Sequence, residues 1–185
     1  MERKYAWHNY DDATMEKVYA LSDTYRQFLD NGKTERECVV QAVEFAEAKG
    51  YVNLNDIIKS NTSIKAGDKI YYTHMDKSIA LFNIGTDDIE LGMNILGAHI
   101  DSPRIDVKQN PQYEDSNLVF WDTHYYGGIK KYHWVAMPLA IHGVVVKTDG
   151  TRININIGDK ESDPVFCITD LLPHLGQEQM QKKCS

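Results

Sequence analysis

The sequence predicts an α/β chain in two parts, a layered α/β domain that opens with helices and a smaller β-rich region after it. Three observations lead there. Apolar residues recur at helical spacing over the first fifty positions. The pattern turns to β-rich runs from Lys69 onward and culminates in the apolar stretch Met93–Ala98. Beyond Pro103, short β-type runs alternate with Gly- and Asp-containing turns.

The first helix is expected over roughly Asp12 to Asp30. Met15, Val18, Leu21, Tyr25, Phe28 and Leu29 fall on one face at steps of three and four, and Asn31-Gly32 ends it with residues that tolerate positive φ. Thr34-Glu35-Arg36-Glu37 has the spacing of a capping box, so a second helix starts there. Its buried stripe is Cys38, Val39, Ala42, Phe45 and Ala46, and Gly50 is its C-terminal cap. The two helices read as an αα-hairpin with a structural role. Lys69–His74 and Ser78–Ile84, separated by Met75-Asp76-Lys77, suit a β-hairpin. After the acidic turn Gly85-Thr86-Asp87-Asp88, the run Met93–Ile100 reads as a buried strand.

In the second part, Arg104–Lys108 is extended and Asn110-Pro111 is expected to break it. Strands are expected at Leu118–Trp121, Trp134–Val146, Arg152–Ile157 and Val165–Ile168, with Pro138 splitting the second or marking an edge. Asp149-Gly150 between Val144-Val145-Val146 and Ile153-Asn154-Ile155 is a strong hairpin signal. The domain boundary is placed between residues 104 and 105, giving regions 1–104 and 105–185.

Composition narrows the function. Hydrophobic residues make up 42% and charged residues 25%, as in an ordinary globular protein. A net charge of −7 with no basic cluster beyond the pairs Lys130-Lys131 and Lys182-Lys183 argues against nucleic acid as a partner. No run approaches the ~18 apolar residues of a membrane span, and Met1–Tyr5 lacks a secretory pattern. The three cysteines, Cys38, Cys167 and Cys184, are odd in number and far apart, as expected for reduced thiols in a cytoplasmic protein.

The chemistry concentrates where the apolar run ends, at Gly97-Ala98-His99-Ile100-Asp101-Ser102-Pro103. Residues i and i+2 of an extended chain point the same way, so the His99 imidazole and the Asp101 carboxylate sit together. Such a pair suits a metal site, with one ring nitrogen on the ion and the carboxylate on the other N–H, fixing the tautomer. Ligands in open α/β sheets also collect at the carboxyl ends of strands. His-x-Asp alone is equally a hydrogen-bonded pair that closes a strand. Tyr125-Tyr126-Gly127-Gly128 lacks the spacing of a phosphate loop and reads as a turn. His8, His74, His124 and His174 carry no partner signature, and Glu114-Asp115 and Asp122 read as solvated acids.

The segment Gly97–Arg104, followed by Tyr126-Gly127-Gly128, the Trp134 segment and Asp170-Leu171-Leu172-Pro173-His174-Leu175, resembles the M18 metalloaminopeptidases, the family of aspartyl aminopeptidase and vacuolar aminopeptidase I. The resemblance covers the whole chain. It implies the N-terminal part of a layered α/β/α metallopeptidase domain over 1–104 and the start of an inserted β-rich dimerisation domain over 105–185. It further implies an oligomeric enzyme that removes N-terminal residues from peptides, using water activated by two zinc ions, with cobalt or manganese also suited. His99 is then a metal ligand, and Asp101 joins the catalytic machinery as the carboxylate that orients it. The remaining ligands and the general base lie later in the family's chains, so this chain alone is expected to be inactive. The family's insert also carries a substrate-contacting histidine, for which His133 is the candidate. The Lys131–Leu139 segment lacks the Asp-Arg-Asp that follows the tryptophan in better-known members. Two competing readings stand beside this one: a non-catalytic fragment or dimerisation module using residues 105–185, and a metal-dependent phosphoesterase built on the same His-x-Asp.

Overall fold

A computed structural model describes residues 5–182. Cys184 and the first four residues lie outside the described range, as does Lys183 of the terminal lysine pair. The chain forms two compact units that meet in sequence at Asp101 and Ser102.

In the first unit, helix α1 spans Asp12–Asn31 and α2 spans Glu35–Ala48. Asp11 caps α1 by accepting from the Thr14 N–H at 2.9 Å, and hydrogen bonding to the Thr14 side chain first, then to this N–H, holds its carboxyl below the ordinary aspartate range. The capping box on α2 is complete. The Glu37 N–H donates to Thr34 Oγ1, and Glu37 Oε2 accepts from the Thr34 N–H at 2.9 Å. At its other end the Gly50 N–H donates to the Glu47 carbonyl and the Tyr51 N–H to the Ala46 carbonyl. This is a Schellman pair, and Gly50 supplies the left-handed φ of 82° that it requires. The apolar stripes are only partly covered: Cys38, Val39 and Ala46 are buried, while Leu21, Tyr25, Leu29 and Phe45 remain exposed.

Strand β1 (Val52–Asn53) runs parallel to β2 (Lys69–His74), which pairs antiparallel with β3 (Ser78–Asn83) in the order β1-β2-β3. The short helix α3 (Leu54–Ser60) connects β1 toward β2. Neither β1 nor α3 is foreseen by periodicity, because two strand residues and seven helical ones are too short to show a period. The β2–β3 hairpin forms as expected, with Lys69 opposite Asn83 and His74 opposite Ser78. Its turn holds Met75 and Asp76 at positive φ, supported from α2 by Arg36, whose guanidinium donates to the Met75 carbonyl at 3.0 Å. Ile70 and Tyr71 of β2 are the buried sheet residues of this unit. Tyr71 also donates its hydroxyl proton to Glu47 at 2.7 Å, tying the strand to α2.

The expected buried strand Met93–Ile100 is the main correction. Residues 92–103 follow a short 3-10 turn (Ile89–Leu91) without regular structure, and Ile95 and Leu96 are 79% and 100% exposed. A strand needs a neighbour for its N–H and C=O groups, and no described residue pairs with this stretch. Apolarity reports that the segment needs cover, and it does not say which element supplies it.

The second unit holds two hairpins. Strand β4 (Arg104–Asp115) pairs with β5 (Leu118–Tyr126). Against expectation, Asn110-Pro111 does not end β4. The register shifts between Val107 and Gln112, so residues 108–111 lie opposite Asp122 alone, and Pro111 sits inside the bulge where no ladder N–H is required of it. The tip is a two-residue turn, Ser116-Asn117, both at positive φ. Strands β6 (Ile141–Val146) and β7 (Arg152–Ile157) pair as Asp149-Gly150 signals, with Gly150 at φ 85°. The expected strand Trp134–Val146 is shorter, starting at Ile141 after Pro138, and Val165–Ile168 contributes only isolated bridges, Val135 to Ile168 and Leu139 to Phe166. Gly127-Gly128 follows β5 as a bend.

Two predictions follow from these contacts. Both tip residues of β4–β5 adopt the left-handed conformation that Asn-Gly occupies most readily, so Ser116→Asn with Asn117→Gly raises stability by about 1 kcal/mol in urea denaturation. The Glu47 bond, and then burial, hold the Tyr71 phenol above its ordinary pKa. A pKa raised on folding gives stability that is complete below the unfolded value of ~10 and is lost as pH rises through the folded value. Tyr71→Phe therefore costs about 1 kcal/mol at pH 8, and its difference from the parent shrinks above pH ~10.

Candidate metal centre

The approach to the site is extended chain, and i and i+2 share a side as the sequence requires. His99 Nδ1 lies 3.1 Å from Asp101 Oδ1 and 3.0 Å from the Asp101 carbonyl oxygen. Both neighbours are acceptors, so the ring proton belongs on Nδ1 and the Nε2 lone pair is left available. The His99 side chain is 84% exposed and that of Asp101 38%, which leaves Nε2 accessible to an incoming ion.

The structure thus brings two of the three expected site residues, His99 and Asp101, into contact. The third, His133, belongs to the second unit and ends a 3-10 turn, Lys131–His133. Its N–H donates to the Lys130 carbonyl at 2.9 Å, and its ring meets Tyr132 edge-on at 4.4 Å between centroids. Lys131 lies over the Tyr125 ring at 5.1 Å. Among the described residues, no three His, Cys, Asp or Glu side chains gather as a metal-binding group. The donor chemistry of His99 fits a divalent ion as one ligand of a larger set.

A second histidine–aspartate contact was not foreseen. His142 on β6 places Nε2 3.1 Å from Asp159 Oδ1, and its side chain is only 10% exposed. The β6–β7 register sets His142 opposite Asn156, and nothing in the spacing points to Asp159, which lies in the loop beyond β7. That loop is fixed further by Asp163, which accepts from the Gly158 and Lys160 N–H groups at 3.1 and 3.3 Å. Gly158 has φ 110°, and a Cβ there would come within 2.9 Å of Ala140 Cα. An open cleft of about 660 Å³ in the first unit is lined by residues that include Lys49, Asp56, Ser60, Asp68 and Lys69, and neither His99 nor Asp101 borders it.

Comparison with known proteins defines the class. Residues 28–185 match the family described as aminopeptidase I zinc metalloprotease (M18), and the chain belongs to that family of metallopeptidases. Its relatives include a probable M18 family aminopeptidase 1 of Clostridium acetobutylicum, 52% identical over 184 residues, with 100% of this chain covered and 40% of the relative. A second, from Thermotoga maritima, is 47% identical over 182 residues, with 96% and 38% covered. The crystal structure of an M18 aminopeptidase from Thermotoga maritima superposes with a TM-score of 0.87 at 45% identity, covering 100% of this chain and 39% of that one. Aminopeptidase I from Clostridium acetobutylicum gives 0.85 at 51% identity, covering 100% and 41%. The fold is the mixed α/β arrangement of those structures, and the chain spans about two fifths of the length of these relatives, corresponding to an N-terminal portion of them. No helix among the described residues is long and apolar enough to cross a membrane.

Because Asp159 anchors its loop to a nearly buried imidazole, Asp159→Ala should speed amide hydrogen exchange across residues 158–163, and exchange unchanged there would remove that anchoring role.

Proposed function

We propose that this chain is the N-terminal portion of a metal-dependent aminopeptidase whose complete form hydrolyses N-terminal residues from peptides with a water activated by two divalent ions. The observation that carries the reading is the His99–Asp101 geometry within an M18 sequence: Nδ1 is occupied by acceptors and Nε2 faces outward. In this reading Nε2 of His99 would hold one zinc ion, with cobalt or manganese as workable substitutes. Asp101 keeps the proton on Nδ1, orients the ring and raises its basicity as a ligand. When bound, the ions polarise the scissile carbonyl and lower the pKa of a bound water. His133 contacts the peptide substrate. Residues 105–185 belong to an inserted β-rich region through which copies of the protein assemble into a homo-oligomer, and the enzyme works in the cytoplasm without nucleic-acid or membrane partners.

One histidine and its carboxylate do not hold a catalytic ion. The remaining ligands and the general base therefore come from sequence found in the longer relatives, and residues 1–185 alone are inactive. The same shortage of ligands among the described residues favours, as a second reading, a non-catalytic fragment or dimerisation module.

Metal content and hydrolysis of leucyl and aspartyl substrates, measured on residues 1–185 and on a version extended to the length of the relatives, test both readings. The expected result is stoichiometric metal and cleavage only in the longer protein. There, His99→Ala should abolish tight metal binding, and Asp101→Asn should reduce metal affinity or activity by about 10–100-fold. Stoichiometric metal and turnover from residues 1–185 would overturn the shared-ligand assignment, and a longer protein indifferent to His99→Ala would remove His99 from the site.

A further inference from the structure

Within the second unit, the segment that carries His133 is tied to β5 at two points. Trp121 and Tyr125 are four positions apart on that strand, so their side chains share one face, about 13 Å apart along it. Lys131 sets its ammonium over the Tyr125 ring at 5.1 Å, and Phe166 meets Trp121 at 5.2 Å. Phe166 is bonded in turn to the far end of the His133 segment. The Leu139 N–H donates to the Phe166 carbonyl at 2.7 Å, and the Phe166 N–H donates back to the Leu139 carbonyl at 3.0 Å. Residues 131–139 are therefore held to β5 directly at Tyr125 and, through Phe166, at Trp121.

His133 lies beside the first of these ties, two residues from Lys131 and in the same exposed 3-10 turn. The turn is closed by the His133 N–H on the Lys130 carbonyl at 2.9 Å and the Trp134 N–H on the Lys131 carbonyl at 3.0 Å. One 3-10 turn is weak by itself, because its hydrogen-bond geometry is poor and a helical nucleus is costly to form. The Lys131 contact joins this turn to a strand that is already paired along its length. A lysine over a phenol ring at an exposed position shifts such an equilibrium by about 2–5-fold.

We propose that Lys131 is a positioning residue, which holds the Lys131–His133 turn against Tyr125 so that His133 is presented in one conformation. The inference rests, for its purpose, on the substrate contact proposed for His133. Amide hydrogen exchange at His133 and Trp134, measured on residues 1–185, tests the tie without needing that contact.

Lys131→Met and Tyr125→Leu should speed exchange at both amides by about 2–5-fold, and Lys131→Arg, which keeps a cation for the ring, should restore the parent rate. The Ala136 amide, held by the Ile168 carbonyl at the second tie, should be unchanged. The Tyr113 and Phe120 ring signals report that the β4–β5 hairpin is intact in each variant. Exchange at His133 and Trp134 unchanged in Lys131→Met and in an intact Tyr125→Leu would overturn the tie. In a version extended to the length of the relatives, Lys131→Met should raise KM by about 2–5-fold with kcat and metal content unchanged, and Lys131→Arg should recover it. A KM that rises in His133→Ala and not in Lys131→Met would overturn the positioning role. A KM indifferent to His133→Ala removes the substrate contact itself, a failure seen apart from the exchange result, which still decides the tie.

Discussion

The first unit depends on one seam, where α2 lies against the β2–β3 hairpin. Cys38, Val39 and Ala46 from the helix and Ile70 and Tyr71 from the strand are the buried apolar residues of the described chain. The Schellman turn at Gly50 starts the chain toward β1, which pairs with β2 beside the seam. Arg36 reaches from the same helix to the β2–β3 turn, and Glu47 receives the Tyr71 hydroxyl. Burial at the seam desolvates the Cys38 thiol and, with the nearby Glu37 and Glu35 charges, holds its pKa above the ordinary value, so that cysteine packs as a small apolar side chain.

Among its described residues the second unit has no buried large apolar side chain, and it is organised by hairpins and aromatic contacts. Tyr113 stacks on Phe120 at 5.4 Å, and Trp121 meets Phe166 at 5.2 Å, joining β5 to the segment that forms only isolated bridges. The large apolar side chains left exposed in both units, from Leu21 to Leu96 and from Val119 to Leu172, fit a chain that spans about two fifths of its relatives. The proposed catalytic role of His99 has the same character, a single ligand prepared by its neighbour and completed from elsewhere.

Local signals in the sequence were reliable where a structure closes on itself. The capping box at Thr34, the hairpin over Lys69–Asn83 and the Asp149-Gly150 turn each involve residues a few positions apart, and each formed. The His99–Asp101 contact was legible for the same reason, since period two alone brings the side chains together. What failed needed information from far along the chain. Met93–Ala98 is apolar enough for a buried strand, yet no described residue pairs with it. Pro111 looked like a strand terminator because a single residue cannot reveal that the partner strand will leave a bulge for it. The His142–Asp159 contact had no local signal, because the aspartate comes from a loop seventeen positions on.

The bulge in β4 divides its hairpin into two independently registered lengths. From Arg104 to Val107 the strand is in step with Thr123–Tyr126, and from Gln112 to Asp115 it is in step with Leu118–Trp121, with all the slack held between. β5 has no such break, so its alternation carries both faces through, the Arg104–Tyr126 root at one end and the Tyr113–Phe120 stack at the other. A residue gained or lost among positions 108–111 therefore turns no side chain over on either length. The bulge can absorb a change of length over evolutionary time while the outer half and the root, the part nearest His99 and Asp101 in sequence, both stay in register.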